Sequence, residues 1–125
     1  MQKTILIADD ESYILRLLEA TFRKGNYRLI LVRSGLEALA TLENEHPDLI
    51  ILDVMMPDLD GLSALRQLKA NEKTAGIPVI VLSAKGHTLT KIQAEEAGAE
   101  LFLTKPFSPS QLLADVSAIF DRLSP

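Results

Sequence analysis

The sequence predicts a doubly wound α/β domain, a parallel sheet of five strands with helices on both faces. Apolar runs of strand length alternate five times with segments of helical period. Two of those runs, Leu49-Ile50-Ile51-Leu52 and Val79-Ile80-Val81-Leu82, are apolar at every position. That suits strands buried on both faces rather than one side of a hairpin. Each run also ends near polar residues: Asp9 and Asp10, Asp53, Ser83, and Thr104 with Lys105. In open parallel sheets that carboxyl edge is where loops form the ligand crevice.

In order, Thr4-Ile5-Leu6-Ile7-Ala8 reads as the first strand and residues 11–24 as a helix with Ile14, Leu17, Leu18 and Phe22 on its apolar face, stopped by Gly25-Asn26. Residues 27–33 form the second strand. Ser34 and Glu37 have capping-box spacing ahead of Ala38, Leu39 and Leu42 in a second helix. Pro47 opens the central strand, which closes on Asp53. Leu62, Leu65 and Leu68 mark a third helix, and Gly76-Ile77-Pro78 breaks it before residues 79–83. A weaker helix over residues 88–97 has only Leu89, Ile92 and scattered alanines to pack, so it should be the least firmly anchored. Residues 99–104 make the fifth strand. Ser108-Pro109-Ser110-Gln111 then supplies an N-cap, a first-turn proline and an N3 glutamine. The fifth helix follows with Leu112, Leu113, Val116, Ile119, Phe120 and Leu123 inward.

At 125 residues, with 47% hydrophobic and 24% charged side chains, the chain fits one domain with its own core, residues 1–125. A net charge of −4 without any basic run argues against a nucleic-acid surface. The absence of cysteine excludes a disulfide framework and permits a reducing compartment. No apolar run is long enough to span a bilayer, and no signal-peptide pattern opens the chain. A cytoplasmic protein is expected.

Three carboxylates gathered at one sheet edge repel one another unless a cation is present. With oxygen donors and no His or Cys beside them, Asp9, Asp10 and Asp53 point to Mg²⁺. Lys105 and Ser83 add a positive charge and a hydroxyl, the groups that hold phosphoryl oxygens once Asp53 has attacked phosphorus. The set suits an aspartyl phosphate. His46 and His87 lack partners at metal or triad spacing and read as solvated.

These residues resemble the receiver domain of two-component response regulators along essentially the whole chain: Asp9-Asp10, Asp53 with Met56-Pro57-Asp58 and Gly61, Ser83-Ala84, and Lys105-Pro106-Phe107. The resemblance implies the flavodoxin-like strand order 2-1-3-4-5. It implies that Asp53 takes a phosphoryl group from a phosphohistidine of a sensor histidine kinase or phosphotransfer protein. Asp10, Asp53 and the Met55 carbonyl would bind Mg²⁺ directly, with Mn²⁺ able to substitute, and Asp9 would act through water. Ser83 and Lys105 would contact the phosphoryl group, Ser83 and Phe102 would switch together, and Lys105-Pro106 would be cis. The output would be binding by the fourth helix, fifth strand and fifth helix to a downstream protein or a fused output domain. Catalysis would be limited to autophosphorylation and autodephosphorylation.

Rival readings meet specific residues. A flavin carrier needs a phosphate-cradling loop after the first strand, where this chain has three acids, Asp9-Asp10-Glu11. An aspartate-nucleophile phosphatase wants a carboxylate two residues past Asp53, where Met55 stands. A degenerate receiver serving only for docking would lack an acid or the lysine. Asp9 and Asp10 taken alone suit plain helix capping. Gln111 and Asp115 depart from the charged pairs through which receivers of winged-helix regulators dimerise, so a monomer or a weak phosphorylation-dependent dimer is expected. Met55 and Lys85, two residues past Asp53 and Ser83, are poor acceptors for positioning a hydrolytic water. A long-lived phosphoryl group is therefore expected.

Overall fold

The computed structural model describes residues 2–84 and 88–123. Five parallel strands, β1 (Lys3–Ala8), β2 (Tyr27–Val32), β3 (Leu49–Asp53), β4 (Val79–Ser83) and β5 (Leu101–Thr104), form one sheet in the order β2-β1-β3-β4-β5. Between and after them run α1 (Ser12–Phe22), α2 (Gly35–Thr41), α3 (Gly61–Ala70), α4 (Thr88–Glu96) and α5 (Pro109–Leu123). Every residue of β3 and β4 is buried, as their unbroken apolar runs require.

Alternation along the strands divides the core in two. Ile5, Ile7, Leu49, Ile51, Ile80 and Leu82 face α1 and α5, meeting Ile14, Leu18, Phe22, Val116 and Ile119. Leu6, Ile50, Leu52, Val79 and Val81 face the other way, toward Ala38, Leu62, Leu65, Leu68 and Ala94. Each fully buried Leu or Ile contributes roughly 1.5–3 kcal/mol of transfer free energy, so these two layers hold the sheet flat against its helices. Among the described residues no helix is long and apolar enough to cross a membrane.

Several elements depart from the sequence expectation. Leu17 is 38% exposed because the apolar stripe of α1 centres on Ile14, Leu18 and Phe22, with Leu15 taking the place expected of Leu17. Helix α3 stops at Ala70, well before Gly76: Asn71 turns extended, and the Leu68 carbonyl accepts from Asn71 N at 3.4 Å and from Thr74 Oγ1 at 2.7 Å. The Ser34 cap forms, its Oγ accepting from Glu37 N at 3.1 Å, but Glu37 Oε2 accepts from Arg33 N instead of closing the box. In α4, Leu89 and Ile92 point outward and Ala94 alone is buried among the described residues. Strand β5 starts at Leu101 because Gly98, at φ +104°, ends the helical turn and Ala99 N donates back to Ala94 O. Leu123, at the last turn of α5, is exposed. The Ser108 cap of α5 forms, its Oγ accepting from Gln111 N at 3.2 Å, but the Gln111 side chain donates to Asp115 Oδ1 at 2.9 Å.

Candidate functional site

The carboxyl ends of β1, β3, β4 and β5 meet at one edge. Asp9, just past β1, is wholly buried; its backbone N–H donates to Val32 O at 3.1 Å and its Oδ1 accepts from Glu11 N at 2.9 Å. Asp10 is exposed. Neither acid caps α1, whose N-cap is Glu11 and makes no side-chain cap bond. The capping alternative therefore fails for both. Asp53 ends β3 in register with Leu82 of β4 and is 2% exposed. Gly61 belongs to this arrangement, since a Cβ there would lie 2.1 Å from the Asp53 carbonyl oxygen. Only a residue without a side chain lets the start of α3 approach that closely. Asp60 caps α3 by accepting from Ser63 N at 2.9 Å.

Ser83 ends β4, buried and in register with Thr104, and its carbonyl accepts from Lys105 N at 2.8 Å. The Lys105-Pro106 peptide is cis, as the sequence led us to expect. Lys105 Nζ lies 2.8 Å from Asp9 Oδ2, 2.9 Å from Glu11 Oε1 and 3.4 Å from Asp53 Oδ2. The contact to Asp9 is an ion pair without an aligned hydrogen bond, so that buried oxygen keeps acceptor capacity. Carboxylate oxygens of Asp9, Asp10 and Asp53 come within 4.8 Å of one another. An all-oxygen donor set with one unsatisfied buried oxygen fits a hard divalent cation.

Burial, then the neighbouring Asp9 charge, raises the Asp53 pKa from its ordinary value of 3.8 to about 6, against the pull of Lys105 and the Met55 N–H. Lys105 responds in the opposite sense to its surroundings. Burial alone would lower its pKa, but the carboxylates of Asp9 and Glu11 at contact distance outweigh that and raise it. Glu11 is held below its usual range, chiefly by its hydrogen bond to Lys105.

Met55 is 57% exposed at the mouth of the site. Phe102 is half-buried, paired with Val81 across the sheet and packed against the layer that contains Ala94. Lys85 and His87 lie outside the described residues, and His46 is exposed. A cavity of about 560 Å³ between α2 and α3, lined by Leu39, Leu42, His46 and Gln67 among others, includes none of the clustered acids. Two residues were missed from sequence. Glu11 read as one more loop acid, yet it is a Lys105 partner; Arg33 read as the end of a strand, yet its guanidinium bonds the loop that carries Asp10. Only the adjacency of Glu11 to the acid pair offered a signal.

Fold and edge together define an α/β domain with a buried lysine set among acids at the switch point of its sheet. A family model of the response regulator receiver domain matches residues 5–117, and the chain belongs to that family. It is 41% identical over 123 residues to PhoB, the phosphate regulon transcriptional regulatory protein of Pseudomonas aeruginosa, covering 98% of this chain and 54% of that protein. Among solved structures, the receiver domain of a Francisella response regulator superposes with a TM-score of 0.91 at 33% identity, covering 98% of this chain and 100% of that one. The receiver domain of a Pseudomonas aeruginosa sensor histidine kinase, solved with magnesium ion coordinated in its active site cleft, gives a TM-score of 0.86 at 30% identity, covering 94% and 97%. The chain spans about half the length of the curated relatives it matches.

Proposed function

We propose that Asp53 accepts a phosphoryl group from a phosphohistidine of a sensor histidine kinase or phosphotransfer protein, in a Mg²⁺-dependent reaction. A carboxylate oxygen of Asp53 attacks phosphorus, the phosphorus–nitrogen bond breaks, and imidazole leaves as an acyl phosphate forms. The observation that carries this reading is the burial of Asp53 at a central strand end, with Lys105 Nζ 3.4 Å away and two further carboxylates in reach of a shared cation. Asp10, Asp53 and the Met55 carbonyl would hold Mg²⁺ or Mn²⁺, with Asp9 acting through water from its unsatisfied Oδ2. Mg²⁺, when bound, supplies the charge that keeps Asp53 ionised and offsets repulsion between its carboxylate and phosphoryl oxygens. Lys105 and Ser83 then hold the phosphoryl oxygens.

The consequence of phosphorylation in this reading is a shift of Ser83 toward the phosphoryl group and of Phe102 inward, changing the α4-β5-α5 face. Its support is the weak seating of α4, which buries Ala94 alone among the described residues. In α5, Gln111 Nε2 donates to Asp115 Oδ1 at 2.9 Å, so each of these side chains has a partner within the chain. Residues 1–125 then act as one cytoplasmic receiver domain, a monomer or weak phosphorylation-dependent dimer, signalling to a downstream protein or fused output domain. Met55 and Lys85 would slow hydrolysis by failing to orient water. Asp53 phosphate should accordingly decay faster in Met55→Asn with Lys85→Glu.

Acetyl phosphate with Mg²⁺ should add one phosphoryl group at Asp53, read by peptide mass spectrometry, and Mn²⁺ should serve in its place. Labelling that persists in Asp53→Asn or in excess EDTA would overturn the proposal. A wild-type chain that takes no label, yet binds a partner, would leave a phosphorylation-independent docking module.

A further inference from the structure

Asp10 is reached from the strand beside it. Arg33, the residue just past β2, sends Nη2 to the backbone carbonyl oxygen of Asp10 at 2.9 Å and to Ser12 Oγ at 2.8 Å. One guanidinium nitrogen carries two hydrogens, and these two bonds use both. They straddle the turn between β1 and α1: Asp10 precedes the N-cap Glu11, and Ser12 is the first residue of the helix. The other acid of the pair is fixed by its own bonds, Asp9 N to Val32 O and Glu11 N to Asp9 Oδ1. The Asp10 carboxylate has no such restraint, being exposed and without a hydrogen bond or ion pair among the described residues.

We propose that Arg33 is a positioning residue for Asp10, clamping the turn so that its carboxylate converges with Asp9 and Asp53 on a shared divalent cation. This rests on the reading of those three acids as a cation site. Groups that orient metal ligands without touching the metal typically change affinity 10- to 100-fold when removed. A clamped turn leaves less ordering to be done when the cation binds. The Arg33 charge acts the other way, repelling a divalent ion, and Arg33 enters no ion pair among the described residues that would cancel it. Because Arg33 is exposed, solvent and salt screen that repulsion. The two hydrogen bonds, though solvent-exposed, act at contact distance, far inside the Debye length. Positioning outweighs repulsion, and loss of Arg33 weakens binding.

The test uses the whole chain and Mg²⁺ alone as probe, with affinity from calorimetry, the Asp10 and Glu11 amide shifts followed by NMR, and melting in EDTA. Arg33→Met should melt with wild type in EDTA but bind Mg²⁺ about tenfold more weakly, the lower end of the range for such groups. Arg33→Lys, which keeps donors and charge, should recover most of that loss. Ser12→Ala, which keeps the charge and removes one bond, should weaken binding in the same direction by less. Arg33→Met binding as tightly as wild type, or more tightly, overturns the proposal, since repulsion or nothing would then govern. Should Arg33→Met not fold, unchanged affinity in Ser12→Ala overturns it equally. Failure of the underlying site reading looks different: wild type would not bind Mg²⁺, or Asp10→Asn would bind it as well as wild type does.

Discussion

The carboxyl edge of the sheet and helix α4 depart from the usual sorting of side chains in opposite directions. At the edge, charge is buried: Asp9 and Asp53 are 0% and 2% exposed, and the Lys105 side chain 8%. In α4, apolar surface is left out: Leu89 is 65% exposed and Ile92 43%. Buried charges are tolerated only when paired, and here one ammonium answers three carboxylates. The imbalance shows in Asp53, whose pKa rises to about 6. An apolar helix face left in water costs less but forfeits adhesion to the sheet. One region stores an excess of negative charge that a cation would relieve; the other is an element held to the sheet by little apolar contact.

The sharpest way to break this comparison is to remove the buried Lys105 ammonium. Lys105→Met leaves three carboxylates facing one another and should cost about 3 kcal/mol of stability at pH 8 in EDTA, measured by urea unfolding. At pH 5 the loss should shrink, because Asp53 can take up a proton. Equal losses at both pH values would show that packing, not charge, holds the edge.

Relief of the imbalance should act in the other direction. Between pH 4 and 6 the folded chain keeps a proton on Asp53 that the unfolded chain has released, so metal-free stability falls as pH rises through that window. Asp53→Asn should remove the fall and add about 1–2 kcal/mol at neutral pH. A pH profile parallel to that of wild type would place the raised titration elsewhere.

Glu11 tests how far the buried character extends. Its side chain is 39% exposed, so Glu11→Gln should cost under about 1 kcal/mol, as open ion pairs do, and the cost should fade with added salt. The smallest effect belongs to α4. Leu89→Gln and Ile92→Gln should each change stability by less than about 0.5 kcal/mol in chemical denaturation. A loss comparable to that of Lys105→Met would mean that α4 is seated far better than its exposed face indicates.

Much of this was legible along the chain because it depends on local order alone. Continuous apolar runs at 49–52 and 79–82 can be satisfied only by strands covered on both faces, and the residue closing such a run must sit at the sheet edge. Asp53, Ser83 and Lys105 were therefore placed by their strands, whereas the reason for Gly61, close approach to the Asp53 carbonyl, appears only in the structure. What sequence could not decide depends on neighbours far apart in the chain. Whether Leu17 or Leu15 turns inward depends on how α1 is rolled against β1 and α5, and both choices satisfy helical spacing. The end of α3 was set by Thr74 reaching back to Leu68, a bond that competes with helix continuation before Gly76 is reached. Glu11 and Arg33 gain their roles only when β5 and β2 bring Lys105 and Asp10 within 3 Å of them. Sequence thus determined which groups stand at the edge of the sheet. Tertiary structure decided which of them touch, because ion-pair and hydrogen-bond energies depend on ångström separations that spacing along a chain does not encode.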